Sequence, residues 1–204
     1  MTSSRDELIA VALVEFARDG YAGTSLQHVA DAAGLAKSSV LYHFSSKQAL
    51  LEAALEPAVE ALGALLDSVA EAVEGPEHRP GFVASFLDLL FEHRLAVNIF
   101  VNQSRGLTDI PVIDRAQEIV ARLAGYFGSA GITAVDKARF AIALAGTAYL
   151  LVAGDGQPEV CEDEAELRSA LTEVMTELLT PVRPLAGDPL ADSPLDDSLL
   201  DDTE

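Results

Sequence analysis

At 204 residues the chain is long enough for one large domain or two small ones with a real core. Half of its residues are hydrophobic, yet the longest uncharged apolar run, Phe140 to Gly154, is 15 residues and falls short of the roughly 20 that a membrane span needs. A formal net charge of −20 excludes a protein that coats nucleic acid by charge alone, and the lone Cys161 excludes an internal disulfide. That single thiol, together with an opening MTSSRDEL that lacks an apolar signal core, points to a reducing cytoplasm and to no membrane partner.

In chain order, Ser4 and Glu7 read as a capping box for a first helix. Its apolar face is Leu8, Ile9, Ala12, Leu13 and Phe16, and Gly20 ends it. Tyr21 closes the small core beneath it. Thr24 and Gln27 read as a second capping box. From there Leu26, Val29, Ala30 and Ala33 recur at i, i+3, i+4 and i+7, the spacing of one helix face. Gly34 supplies a positive-φ corner, after which a short helix over Lys37 to Phe44 turns Val40 and Phe44 inward and Lys37, Ser38, Ser39 and Tyr42 outward. Ser45 and Gln48 read as a third box that opens the next helix. Two short capped helices around a glycine corner describe a helix-turn-helix, whose second helix enters a DNA major groove.

The chemistry of this stretch assigns roles to residues. Thr24 and Ser25, at a helix start, are suited to hold a phosphate. Lys37, Ser38 and Ser39 open the recognition helix, where lysine suits guanine edges and serine serves several bases. Tyr42 and His43 are placed to stack on sugar or bond a phosphate.

Residues 5 to 55 resemble the N-terminal DNA-binding domain of the tetracycline-repressor (TetR) family. The resemblance rests on F-x-x-x-G-Y-x-x-T-S from Phe16, V-A-x-x-A-G-L from Val29, and L-Y-H-F-x-S-K-x-x-L from Leu41. It implies an all-α fold, with a three-helix DNA-binding domain followed by a helical bundle for ligand binding and dimerisation. It also implies that Lys47 contacts a phosphate, and that Leu41, where the family often has Tyr, cannot donate to a phosphate. On this reading residues 1–50 bind DNA, 51–180 bind an effector and dimerise, and 181–204 form an acidic disordered tail.

Charge is divided along the same lines. Residues 1–50 hold four basic against five acidic groups, 51–180 eight against 21, and 181–204 one against seven. The acidity lies outside the DNA-reading unit and lowers non-specific affinity.

The fourth helix, from Ser46 to about Glu74, contains Pro57, which removes the N–H that would bond the Ala53 carbonyl and predicts a kink that transmits motion between the two halves. Gly75 to Gly81 reads as a loop. One or two buried helices follow over 82–105, then one each over 110–130, 134–153 and 163–180. Ala138, Ala141, Ala145 and Ala148 form a small-residue stripe; Leu167, Leu171, Val174 and Leu178 form an apolar seam. Paired across two subunits these helices make the four-helix interface of a homodimer, which the resemblance also implies, and a dimer matches a palindromic operator in double-stranded DNA.

Bulky groups of the middle helices, Phe86, Leu90, Phe100, Tyr126, Phe127 and Tyr149, lie near the polar His93, Arg94, Asn98, Asn102 and Gln103 in sequence. A mostly apolar pocket with a few polar anchors is the usual form of a small-molecule site. The effector's identity is not written in these residues. The tail combines four prolines with seven acids and reads as a solvating segment. No Gly-rich phosphate loop, metal-spaced cluster or nucleophile elbow is present, so neither an enzyme nor a cofactor or metal is expected. The reading is a DNA-binding transcriptional repressor released by a small molecule. The alternative is a helical ligand-binding or interaction dimer without DNA binding.

Overall fold

The computed structural model describes residues 4–71, 79–126, 133–153 and 163–180, and of residues 69–71, 79, 80 and 126 the backbone alone. Cys161, Phe127, loop positions 75–78 and the tail 181–204 lie outside the described residues, as does the side chain of Tyr126.

The helices are α1 (Ser4–Gly23), α2 (Leu26–Ala32), α3 (Lys37–His43), α4 (Lys47–Glu71), α5 (Arg79–Glu92), α6 (Arg94–Gln103), α7 (Pro111–Tyr126), α8 (Ala134–Val152) and α9 (Glu164–Leu179). Among the described residues there is no strand, so the chain is all-α. Residues 79 to 81, expected in a loop, belong to α5. Proline fits a first helical turn, where its missing N–H has no helical partner to lose.

Helix α1 buries Leu8, Ala12 and Phe16 at i, i+4 and i+8 and breaks at Gly20, whose φ of 78° no β-carbon would tolerate well. Helix α2 ends in a Schellman motif: Gly34 at φ 66° donates its N–H to the Asp31 carbonyl, and Leu35 donates to the Ala30 carbonyl. This corner swings α3 across α2. Val40 and Phe44 then reach the core beside Val29 and Ala30.

The expected caps are displaced by one residue. Ser25, not Thr24, caps α2, its Oγ accepting from the His28 N–H at 3.1 Å. Ser46, not Ser45, accepts from the Ala49 N–H at the start of α4. Gln27 bonds Asp31 and Gln48 bonds Glu52, so neither glutamine reaches back to close a box. Ser4 lies inside α1 and its hydroxyl meets the His43 ring at 3.1 Å. Helix α4 continues as one helix through Pro57, which sits on the exposed side.

Burial defines two apolar clusters. The first joins α1–α4 to α6 and α7, through Phe16, Leu50, Leu51, Leu55, Ile99 and Ile113. The second joins α5, α8 and α9, through Phe86, Leu87, Leu151, Leu171 and Met175. Neighbouring residues of α4 separate between them, Leu66 to the first and Leu65 to the second; Phe82 and Leu144 touch both. The packing therefore does not divide at residue 50: the helix-turn-helix shares one core with α6 and α7.

Candidate nucleic-acid interface

Helix α3 has the amphipathic division that a recognition helix needs. Val40 is fully buried and Phe44 nearly so, while Lys37 and Ser38 are exposed, Leu41 is 47% exposed and Tyr42 is 85% exposed. Ser39 and His43 are half-buried at the edge. The His43 ring meets Tyr42 edge-on, with centroids 5.1 Å apart. Ser38, Ser39, Tyr42 and His43 line one shallow depression together with Leu35 and, from α1, Ser4. Ser25 is exposed and uses its oxygen to cap α2, which leaves its O–H free to donate outward. Lys37, Ser38, Ser39, Tyr42 and His43 thus come together on one surface, with Ser25 at the head of the neighbouring helix.

Two residues expected at this interface point the other way. Thr24 is only 2% exposed; its hydroxyl is bonded to the Gly20 and Glu15 carbonyls at 2.9 and 3.2 Å and closes the broken end of α1. Its side chain is a structural lock, because the hydroxyl adds to the Thr24 N–H bond to the Gly20 carbonyl and ties the start of α2 to the end of α1. Lys47 donates its Nζ to the Tyr21 and Thr24 carbonyls at 2.8 and 3.0 Å and lies 4.2 Å from the Tyr21 ring centroid. In this state it ties α4 to the end of α1 and does not stand free for phosphate. Burial pushes the Tyr21 hydroxyl up from its ordinary value, and the Glu52 carboxylate adds to the shift.

The local electrostatics narrow the choice of cations further. Glu15, a carboxylate only 6% exposed, receives Arg18 and lies 2.6 Å from the His28 Nε2. Arg18 also bonds Asp19 at 3.0 Å, and that hydrogen bond holds the Asp19 carboxyl below the usual carboxylate range. The ligand atoms of Glu15, Asp19 and His28 gather within 4.8 Å of one another, but the Arg18 guanidinium already supplies the positive charge among them.

The described candidates for the effector site occupy different environments, with Arg94 and Asn98 both reaching the end of α8. Phe86 and Leu90 are packed in the second core, with Phe82 and Phe86 stacked at 5.9 Å. His93 sits at the turn between α5 and α6, and Asn98 donates to the Val152 carbonyl at 3.4 Å. Asn102 is exposed at the end of α6, and Tyr149 is 48% exposed on the outer side of α8. Gln103 is engaged elsewhere: its Oε1 accepts from the Tyr21 N–H at 2.8 Å and its Nε2 donates to the Phe16 carbonyl at 2.9 Å. Sequence periodicity carries no trace of that clamp, since its partners lie more than 80 positions away.

The two C-terminal helices differ from expectation in one respect. Helix α8 leaves Val135, Ala138, Ile142, Ala145 and Tyr149 exposed, an apolar stripe at alternating spacings of three and four. On α9, Leu171 is buried inside the protomer with Met175 and Leu179, and Leu167 and Leu178 pack partly against the same core; of the expected seam only Val174 faces fully outward. Most of the seam is used within the protomer, where α9 covers α5 and α8. Arg139 fastens the end of α9 by donating to the Leu178 and Glu177 carbonyls at 3.0 and 2.6 Å.

A sequence model described as "Bacterial regulatory proteins, tetR family" matches residues 8–54, the span of α1 to mid-α4. The transcriptional repressor KstR2 of Mycolicibacterium smegmatis is 34% identical over 115 residues, 55% of each chain. The transcriptional regulator RutR of Escherichia coli K12 is 36% identical over 55 residues, 27% of this chain and 26% of its own. Each match thus spans about half or less of the curated relative. Among solved structures, that described as the ketosteroid transcriptional regulator KstR2 of Mycobacterium tuberculosis superposes with a TM-score of 0.63 over 88% of this chain and 94% of its own, at 18% identity, which establishes a shared fold. No helix among the described residues is long and apolar enough to cross a membrane. Residues 8–54 thus carry a helix-turn-helix that matches the tetR-family model, and the helices that follow continue the fold of the solved KstR2 structure.

Proposed function

We propose that the chain is a DNA-binding transcriptional regulator, acting in the cytoplasm as a homodimeric repressor that leaves a palindromic operator when a small molecule binds its C-terminal helices. The observation that carries this reading is the outer face of α3: an exposed lysine, serine and tyrosine on a helix whose opposite side is anchored by Val40 and Phe44. A rigidly seated helix of this kind can present side chains to base edges without reorganising. Residues 1–50 are then the reading unit and 51–180 the effector and dimer unit, coupled through the core that α6 and α7 share with α1.

The exposed stripe on α8 supports the dimer. Four apolar positions, Val135, Ala138, Ile142 and Ala145, are exposed among the described residues of the protomer, and a second copy of the helix is the surface they fit. Two reading units about one DNA turn apart suit two half-sites. The effector must favour the DNA-incompetent state by about 1–3 kcal/mol, and DNA must weaken its binding by the same factor. The solved relative described as a ketosteroid regulator makes fused-ring apolar compounds the first panel to screen. The net charge of −20 and the inward engagement of Arg18 and Lys47 favour the second reading, a helical ligand-binding dimer that does not bind DNA. A gel shift with the DNA immediately upstream of the gene separates the two. Retardation by protein at micromolar concentration or below, reversed by an effector from the panel, supports the regulator; free DNA at every concentration supports the ligand-binding dimer.

A further inference from the structure

The reading unit has four cations, and the structure gives them different duties. Arg18 is neutralised by Glu15 and Asp19. Lys47 is bonded to two carbonyls and lies over the Tyr21 ring. Lys37 is exposed at the head of α3. The fourth is Arg5, in the first turns of α1, a helix otherwise described by its buried apolar face.

Arg5 stands at the edge of the DNA-reading surface. Its guanidinium carbon lies 5.3 Å from the centroid of Phe44, the residue that caps the C-terminus of α3. Its neighbour Ser4 meets the His43 ring at 3.1 Å and lines the same depression as Ser38, Ser39 and Tyr42. Two separate contacts therefore dock the start of α1 against the end of the recognition helix. Arg5 remains exposed, and an arginine resting on an aromatic face keeps its N–H fork available for an anion. Asp6 and Glu7 follow it in the first turn, and helical positions one and two apart do not face each other.

From this census we infer that Arg5 is a phosphate-contacting residue of the DNA interface, taking the part that the inward-turned Lys47 does not fill in this state. The inference rests on the DNA-binding reading above. In a chain of net charge −20 a contact of this kind carries much of the salt dependence, because few cations share it.

The test compares wild type, Arg5→Ala and Arg5→Lys on the shortest upstream duplex that wild type retards, with affinity measured across 50 to 200 mM salt. Each phosphate contact contributes about 0.9 to the slope of log affinity against log salt, so a dimer losing two copies shows a slope shallower by about 1.8 and an affinity lower by tenfold or more. Arg5→Lys restores most of the slope, and the melting temperature of Arg5→Ala stays close to wild type because the side chain is exposed. Arg5→Ala with the wild-type slope overturns the assignment, whether affinity is unchanged or falls together with melting temperature. If wild type retards no duplex, the regulator reading itself fails and this inference with it.

Discussion

Replacing Gln103 with Ala removes both hydrogen bonds that hold α6 to the break in α1. At that break the left-handed Gly20 turns the Tyr21 N–H away from the Ala17 carbonyl, its helical partner, and the amide of Gln103 takes it at 2.8 Å while donating to Phe16 at 2.9 Å. Each neutral hydrogen bond contributes about 0.5–1.5 kcal/mol net, so the pair contributes about 2 kcal/mol. Both partners are backbone groups in a half-buried seam, and water replaces the amide only in part. For a chain of this size each kcal/mol lowers Tm by roughly 2–4 °C, which predicts a fall of about 4–8 °C. Thermal denaturation followed by circular dichroism at 222 nm measures it, with urea unfolding as a check that the m-value is unchanged. Gln103→Glu keeps the acceptor for Tyr21 but sets a carboxylate against the Phe16 carbonyl, and should destabilise at neutral pH as well. A melting temperature within 1 °C of wild type for the alanine variant would refute the idea that this clamp joins the reading unit to the C-terminal helices.

Other perturbations follow from particular contacts. Gly34→Ala forces a β-carbon into φ 66° at the Schellman corner and should cost about 1–2 kcal/mol, read as a lower Tm even though the added carbon meets nothing within 4 Å. Ile142→Glu puts a charge in the middle of the α8 stripe, where the side chain is 62% exposed in the protomer; sedimentation should show a monomer with near-native helicity, and an unchanged mass would remove α8 from the interface. Pro57→Ala restores an N–H inside α4 and should alter effector-induced release more than operator affinity; equal effector response in both proteins counts against α4 as the transmitting helix. Asp19 has a folded pKa held below its ordinary value by Arg18, so its pairing stabilises the fold above the ordinary carboxylate range and the contribution is lost as pH falls through the folded pKa. Asp19→Asn should therefore show a smaller loss of Tm between pH 5 and pH 2 than wild type, and identical pH profiles would contradict that link.

Local rules carried the reading furthest where the structure is local. The period of the first helix, the glycine at 34 and the inward pair Val40 and Phe44 needed only spacing and backbone sterics, and the helix-turn-helix follows from them. The caps slipped by a residue because Thr24 and Ser25, like Ser45 and Ser46, are adjacent hydroxyls that can each cap a helix. Which one caps is decided by packing: Thr24 is drawn into the Gly20 break, leaving Ser25 for α2. The inward bonding of Lys47 is illegible in the sequence for a related reason, since the carbonyls that hold it lie at the broken end of α1. The α9 seam looked like α8's partner because an apolar stripe reads the same whether it faces a neighbour in the same chain or in another. Contacts made across long sequence separations, Gln103 on α1 and Ser4 and Arg5 on α3, leave no periodic signal at all.

On the proposed function, α3 is the surface that reads DNA. Fluorescence anisotropy of a labelled duplex from upstream of the gene, titrated with wild type and with Tyr42→Ala, tests it most directly. Tyr42 is 85% exposed and supports no core residue, so its removal should leave Tm unchanged while weakening the duplex affinity at least tenfold, with two protomers bound per site. Equal affinities for the two proteins on a duplex that wild type binds specifically would contradict α3 as the reading helix.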